Sequence, residues 1–169
     1  MPDTFFTTAP DWTWYIVPYF FIGGLAGGAY FVAALLAWVG RPADRPVIRS
    51  GYYVAFVGVV LSGVLLILDL TRPERFWHML FQSEQFPALM FKSYSPISFG
   101  AWLLLGFAGF AAVSALGAWA DEGRAPARFA PLATGAAGRW IAAAGAVLGL
   151  GLAGYTGVLL SVTNRPVWA

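Results

Sequence analysis

Four stretches of this sequence hold no Asp, Glu, Lys or Arg: residues 12–40, 50–68, 93–120 and 140–164. Each reaches the roughly 18 to 20 apolar residues needed to cross a hydrocarbon core about 30 Å thick. A soluble domain of 169 residues could not hide four uncharged helices of that length. The chain therefore reads as an all-α protein, a transmembrane four-helix bundle. Helices are expected at 12–39, 51–70, 95–119 and 140–163, in a single membrane domain spanning 1–169.

What the sequence lacks narrows its chemistry. There is no cysteine, so disulfides, iron–sulfur clusters and thiolate zinc sites are excluded within the chain. His78 is the single histidine, which removes bis-histidine haem ligation and any multi-histidine metal site. No basic tract suits nucleic acid, and there is no HExxH, phosphate-binding Gly loop or supported Ser/His/Asp arrangement. If the chain takes part in electron transfer, it brings no evident redox centre of its own.

The segment 1–11 carries no cation, and the apolar run behind it is too long for a signal-peptide core, so the first helix is expected to stay in the mature protein. The tail Asn164-Arg165-Pro166-Val167-Trp168-Ala169 reads as the lead-in to another helix, so the chain is expected to be half of a larger bundle. Connections 40–49 and 120–139 hold six Lys/Arg, against four in the remaining non-spanning segments. That bias places those two connections in the cytoplasm and the N-terminus outside. The segment 73–91 is too polar to span. Its Trp, Phe, Leu and basic groups suit a short helix lying in the interface. Trp12, Trp14, Trp77, Trp119 and Trp140 fall near helix ends, as an aromatic belt requires. Gly23, Gly24, Gly27 and Gly28 in the first helix, and Gly145, Gly149, Gly154 and Gly157 in the fourth, have the spacing that lets helix backbones approach. A flat ligand is the alternative use of such a face.

With the N-terminus outside, the polar groups gather at the outer end. They are Tyr15 and Tyr19 in the first helix, Asp69 at the end of the second, then Arg72, Arg75 and His78, and Tyr94, Ser95 and Ser98 opening the third. Tyr155, Thr156, Ser161, Thr163, Asn164 and Arg165 lie in or beyond the outer half of the fourth. The inner halves read as almost bare, with Ser114 the main exception. A carboxylate near the bilayer needs a partner or a role. Asp69 can close the second helix by pairing with Arg72, or relay protons beside a lipid-soluble redox ligand. His78 has the same two readings. Tyr155 lies roughly 12 Å inside the helix end at 1.5 Å per residue, and a phenol at that depth wants a hydrogen-bond partner. A quinone carbonyl, a backbone carbonyl and a serine would each serve.

The segments GGLAGG at 23–28 with Tyr30 following, LDLTRPERFWHML at 68–80, SPISFGAW at 95–102 and AGYTGVLLSVTNRPVW at 153–168 together resemble the NrfD/PsrC family, the membrane subunits of polysulfide-reductase-like complexes. These landmarks occur in family order and cover nearly the whole chain. The resemblance implies a protein of eight or more transmembrane helices, made of two four-helix bundles, of which this one is the N-terminal. It implies a subunit with no metal or haem that exchanges electrons with a quinone, menaquinone or ubiquinone, near one membrane face. It also implies an iron–sulfur partner subunit and a third catalytic subunit, often molybdopterin-containing, in the bacterial inner (cytoplasmic) membrane. Relatives serve polysulfide, nitrite, formate and sulfite systems and alternative complex III.

Residue by residue, Tyr155 matches a tyrosine associated with the quinone in the polysulfide-reductase branch. The Asn and His that this branch places before the glycine motif are replaced here by Ile16 and Tyr19, so the His position keeps a hydrogen-bonding aromatic and the Asn is lost. Asp69 with Arg72 matches the family's D-x-x-R-P pattern, and His78 matches RFWH. The expected site therefore has Tyr155 and Tyr19 holding a quinone headgroup and Asp69 and His78 moving protons. Arg72, Arg75 and Arg165 would form ion pairs or dock the partner. Two other readings stand beside it: a non-catalytic anchor for a peripheral enzyme, and part of a proton-translocation path entered at Asp69.

Overall fold

In hydrocarbon every backbone N–H and C=O must be satisfied within its own segment, so uncharged stretches of this length have helix as their only open-chain solution. The computed structural model describes residues 14–70, 72–81, 89, 91 and 96–162. It contains four long helices: α1 (Ile16–Val39), α2 (Arg45–Asp69), α3 (Pro96–Asp121) and α5 (Ala136–Val162), with the single-turn α4 (Pro131–Thr134) before the last. All four long helices contain a window apolar enough to cross a bilayer.

Two helices begin earlier than the charge pattern suggests. α2 starts at Arg45 rather than Gly51, and α5 at Ala136 rather than Trp140. Absence of charge marks the part of a helix that lies in lipid, whereas the helix itself runs on into the headgroup zone and carries Arg45, Arg49 and Arg139 with it. Proline supplies the starts: Pro46 and Pro131 lie in first turns and α3 opens on Pro96. At those positions the missing N–H is one the helix leaves unpaired anyway. α3 is capped two residues beyond its end by Gly123, whose φ of 75° is left-handed. Gly123 N–H donates to the Ala120 carbonyl and Arg124 N–H to the Trp119 carbonyl, both at 3.0 Å. That is the double bond pattern of a Schellman cap, which a Cβ at Gly123 would strain.

The helices alternate in direction, and each packs on its sequence neighbours, with α5 closing the ring against α1 and α3. The backbones meet at small residues. A Cβ on Gly27 of α1 would sit 2.5 Å from the Gly149 carbonyl oxygen of α5. Gly58 of α2 lies similarly close to Ala26, and Gly51 to Ala33. With lipid as apolar as the side chains themselves, this close contact is what holds the helices together. Gly24, Gly28, Gly154 and Gly157 meet nothing within 4 Å, so only half of each glycine motif is used inside this bundle.

The half of the bundle nearer the α1–α2 turn is less bare than the sequence suggests. Tyr30 Oη is 2.7 Å from Ser114 Oγ and 3.4 Å from the Ile141 carbonyl oxygen, joining α1, α3 and α5. Its ring lies over Gly145, where a Cβ would collide with it, and contacts the rings of Tyr52 and Phe107. Tyr30 and Tyr52 thus form a buried aromatic layer with Ser114, and Tyr53 of the same half has a buried hydroxyl without a partner among the described residues, so the expected one-sided polarity does not hold.

At most 39% of any span is buried within the bundle. The outward faces carry large apolar side chains such as Phe21, Leu25, Val32, Val57 and Val147. A surface of that kind is made for lipid or for further helices.

Candidate functional site

The antiparallel order brings the start of α1, the end of α2, the start of α3 and the end of α5 to one end of the bundle, here called the entry end. Tyr19 is one turn into α1 and 4% exposed. Tyr155 is two turns before the end of α5 and 7% exposed. Gly100, one turn into α3, gives Tyr155 its place: a Cβ on Gly100 would collide with Cζ, Cε1 and Oη of that ring. Tyr19 is backed by Phe20, with ring centroids 5.2 Å apart.

These two phenols differ from Tyr30 in one respect. Tyr30 Oη is satisfied by Ser114 and Ile141. Among the described residues, no hydrogen bond is made by the hydroxyl of Tyr19 or of Tyr155. Ser62 of α2, fully buried beside Gly23 one turn beyond Tyr19, also has an Oγ without a partner. Buried polar groups are nearly always paired, so the Ser62 Oγ, buried at this end without a partner among the described residues, calls for an external partner or water beside the two phenols. Sequence reading picked out Tyr19 and Tyr155 and missed Ser62 and Gly100. A serine in an apolar helix gives no signal by itself, and the role of Gly100 exists only once the Tyr155 ring is laid on it.

The other expected residues lie along the same end without joining the phenols. Asp69 is the last residue of α2 and half-buried. A 3₁₀ helix, Pro73–Met79, follows and packs back on α2. This falls within the expected interfacial segment 73–91, of which residues 82–88 and 90 lie outside the described residues. Arg72 and Arg75 are exposed, as are Phe76 and Trp77. His78 stacks on Trp77 at 3.7 Å between centroids. Its Nδ1 is 3.1 Å from the Arg75 carbonyl oxygen. A carbonyl only accepts, so Nδ1 carries the proton and Nε2 is the basic nitrogen of the neutral ring. Arg165, Tyr94, Ser95 and Asn164 lie outside the described residues.

Among the described residues, no group of three or more His, Cys, Asp or Glu is placed to hold a metal ion. The entry end offers phenol hydroxyls and a histidine, which suit hydrogen bonding to carbonyl oxygens and proton exchange.

Comparison with known proteins shows the family of the sequence. The family described as Polysulphide reductase, NrfD, matches residues 5–169. A component of the polysulfide reductase of Wolinella succinogenes is 32% identical over 160 residues, covering 89% of this sequence and 47% of the relative. A component of the selenate reductase of Mesobacillus selenatarsenatis is 26% identical over 74 residues, 44% of this sequence and 17% of the relative. The chain thus spans about half the length of the first of these relatives and matches less than a fifth of the second. No solved structure matches it.

Proposed function

The chain belongs to the polysulphide reductase NrfD family, and on that premise we propose that it is the quinone-exchanging part of the membrane subunit of a respiratory oxidoreductase. The observation that carries the proposal is the pair of buried phenols, Tyr19 and Tyr155, brought to the entry end with the unpartnered Ser62 Oγ.

The reaction is a two-electron, two-proton exchange in which quinone and quinol interconvert. Tyr155 and Tyr19 donate hydrogen bonds to the headgroup oxygens and orient the ring. Gly100 leaves the space that fixes the Tyr155 ring. His78, with Nε2 as its basic nitrogen, and Asp69 exchange the protons at the membrane surface. The electrons come from or go to an iron–sulfur partner subunit, which in turn serves a catalytic, molybdopterin-containing subunit. That partner docks on the entry end, where Phe76, Trp77, Arg72 and Arg75 are exposed. The cation bias puts this end outside the cytoplasm, so the site faces away from it.

The exposed Phe76 and Trp77 also favour a second reading, in which the protein only anchors a peripheral enzyme. An anchor needs that surface and not the phenol of Tyr155. The deciding experiment follows quinol-driven reduction of the partner's iron–sulfur clusters by EPR in the assembled complex. Quinone exchange requires that reduction to fail in Tyr155→Phe while assembly persists. Equal reduction in both proteins leaves the anchor.

A further inference from the structure

At the end of the bundle opposite the tyrosine pair, the α1–α2 turn and the start of α5 enclose a cleft of about 290 Å³. Four arginines line it. Arg41 lies in the turn, Arg45 is the first residue of α2, Arg49 is one turn further, and Arg139 sits in the first turn of α5. Asp121, the last residue of α3, is the one carboxylate among the lining residues. Its Oδ2 already accepts both Nε, at 3.0 Å, and Nη2 of Arg49. Asp44, just outside the cleft, accepts the backbone N–H of Arg41 at 2.7 Å. Among the described residues, no carboxylate forms an ion pair with Arg41, Arg45 or Arg139.

Depth in the membrane follows from the neighbouring tryptophans. Trp38 and Trp140 are exposed, stand edge to face with ring centroids 5.5 Å apart, and flank the cleft. The Trp38 indole N–H donates to the Arg139 carbonyl at 3.0 Å. Exposed indoles of this kind sit at headgroup level. The inner side of the cleft is apolar: Leu36 lies one turn inside the end of α1, Ile48 stands between Arg45 and Arg49 on α2, and the ring of Tyr52, one turn deeper than Arg49, closes it towards the core. A topological signal accounts for cations at this end. It does not account for four of them converging on one cleft that lacks matching anionic charge.

We propose that this cleft binds the phosphate of an anionic phospholipid. Arg45, Arg41 and Arg139 provide the guanidinium donors, which match phosphate oxygens in bidentate geometry. Asp121 holds Arg49 in position beside them. Basic pockets between spans at headgroup depth have the charge and geometry for such lipids. A free anion would meet the same arginines, but it has no use for the apolar inner wall, against which the acyl end of a lipid lies.

The test uses the full-length protein in its complex, in nanodiscs of phosphatidylcholine with or without cardiolipin or phosphatidylglycerol. Native mass spectrometry counts retained lipid, and thermal unfolding reads stabilisation. Wild type retains an anionic lipid and is stabilised by it. Arg45→Gln with Arg139→Gln lowers that affinity by roughly tenfold or more. Ala37→Phe fills the cleft with every charge kept, lowers it likewise, and decides the matter alone should the arginine variant fail to fold. Retention equal to wild type in a folded variant overturns the proposal. So does stabilisation by inorganic phosphate that displaces the lipid, which would make the site one for a free anion.

Discussion

The ring of Tyr155 on α5 rests on the backbone of Gly100 on α3, so closely that one added methyl group would meet Cζ, Cε1 and Oη at once. The position of the phenol is thus set by a residue that has no side chain. Gly100→Ala must push the ring away or part the helices. The expected result is a folded complex in which quinol-linked electron transfer falls by roughly ten- to a hundredfold, the scale of loss when a positioned group is displaced by about an ångström. Turnover of the variant, read beside its unfolding temperature, checks this. Wild-type turnover would show that the ring's position is irrelevant to function.

Three buried tyrosines separate binding from stability. Tyr19 and Tyr155 have hydroxyls without hydrogen bonds among the described residues, whereas Tyr30 is bonded to Ser114 and the Ile141 carbonyl. Tyr155→Phe and Tyr19→Phe should leave stability within about 0.5 kcal/mol of wild type and lower quinol-linked turnover. Tyr30→Phe should do the reverse. It leaves Ser114 buried without its partner and costs roughly 1 kcal/mol, in the range measured for interhelical bonds in membranes, with turnover unchanged. Thermal unfolding and turnover on the same three variants resolve the two patterns. A loss of turnover in Tyr30→Phe equal to that in Tyr155→Phe would contradict the division.

The spans, the alternation and the end at which Tyr19, Asp69, His78 and Tyr155 collect were legible in the sequence, because a charge-free run of this length permits little else in lipid. Helix starts were not legible from the same signal. Arg45, Arg49 and Arg139 are helical residues in the headgroup zone, and charge marks the edge of the bilayer rather than the edge of the helix. Nor was the Tyr30–Ser114 layer, since 84 residues separate the two and neither is unusual in its own helix. Gly27 and Gly149 were legible as a packing motif, but which glycines of each motif meet a partner depends on helix rotation. That rotation is fixed by the neighbours and not by the motif.

That rotation yields a prediction within one motif. Gly27 touches the Gly149 carbonyl, while Gly24 and Gly28 meet nothing within 4 Å. Gly27→Leu should force α1 and α5 apart and cost more than about 3 kcal/mol, the scale of severe overpacking. Gly24→Leu should be tolerated within this bundle. Yield of folded protein and unfolding temperature of the two variants check the ranking. Equal damage by both would mean that the outward glycines are themselves covered by another helix in the assembled protein.

The ion pair between Arg49 and Asp121 ties the start of α2 to the end of α3, with side chains 26% and 16% exposed. Exposed pairs contribute at most about 1 kcal/mol, and the partial burial here should take this one to roughly 1–2 kcal/mol. Asp121 is also a carboxylate at a helix C-terminus, where the helix dipole disfavours it. Removing Arg49 leaves that charge uncompensated, so Arg49→Gln should destabilise more than Asp121→Asn. The double variant should recover part of the loss, giving a coupling energy above about 0.5 kcal/mol in a double-mutant cycle. Thermal unfolding of the four proteins in one detergent measures it. Because the pair lies at headgroup depth and keeps some contact with water, high salt should shrink the coupling without abolishing it.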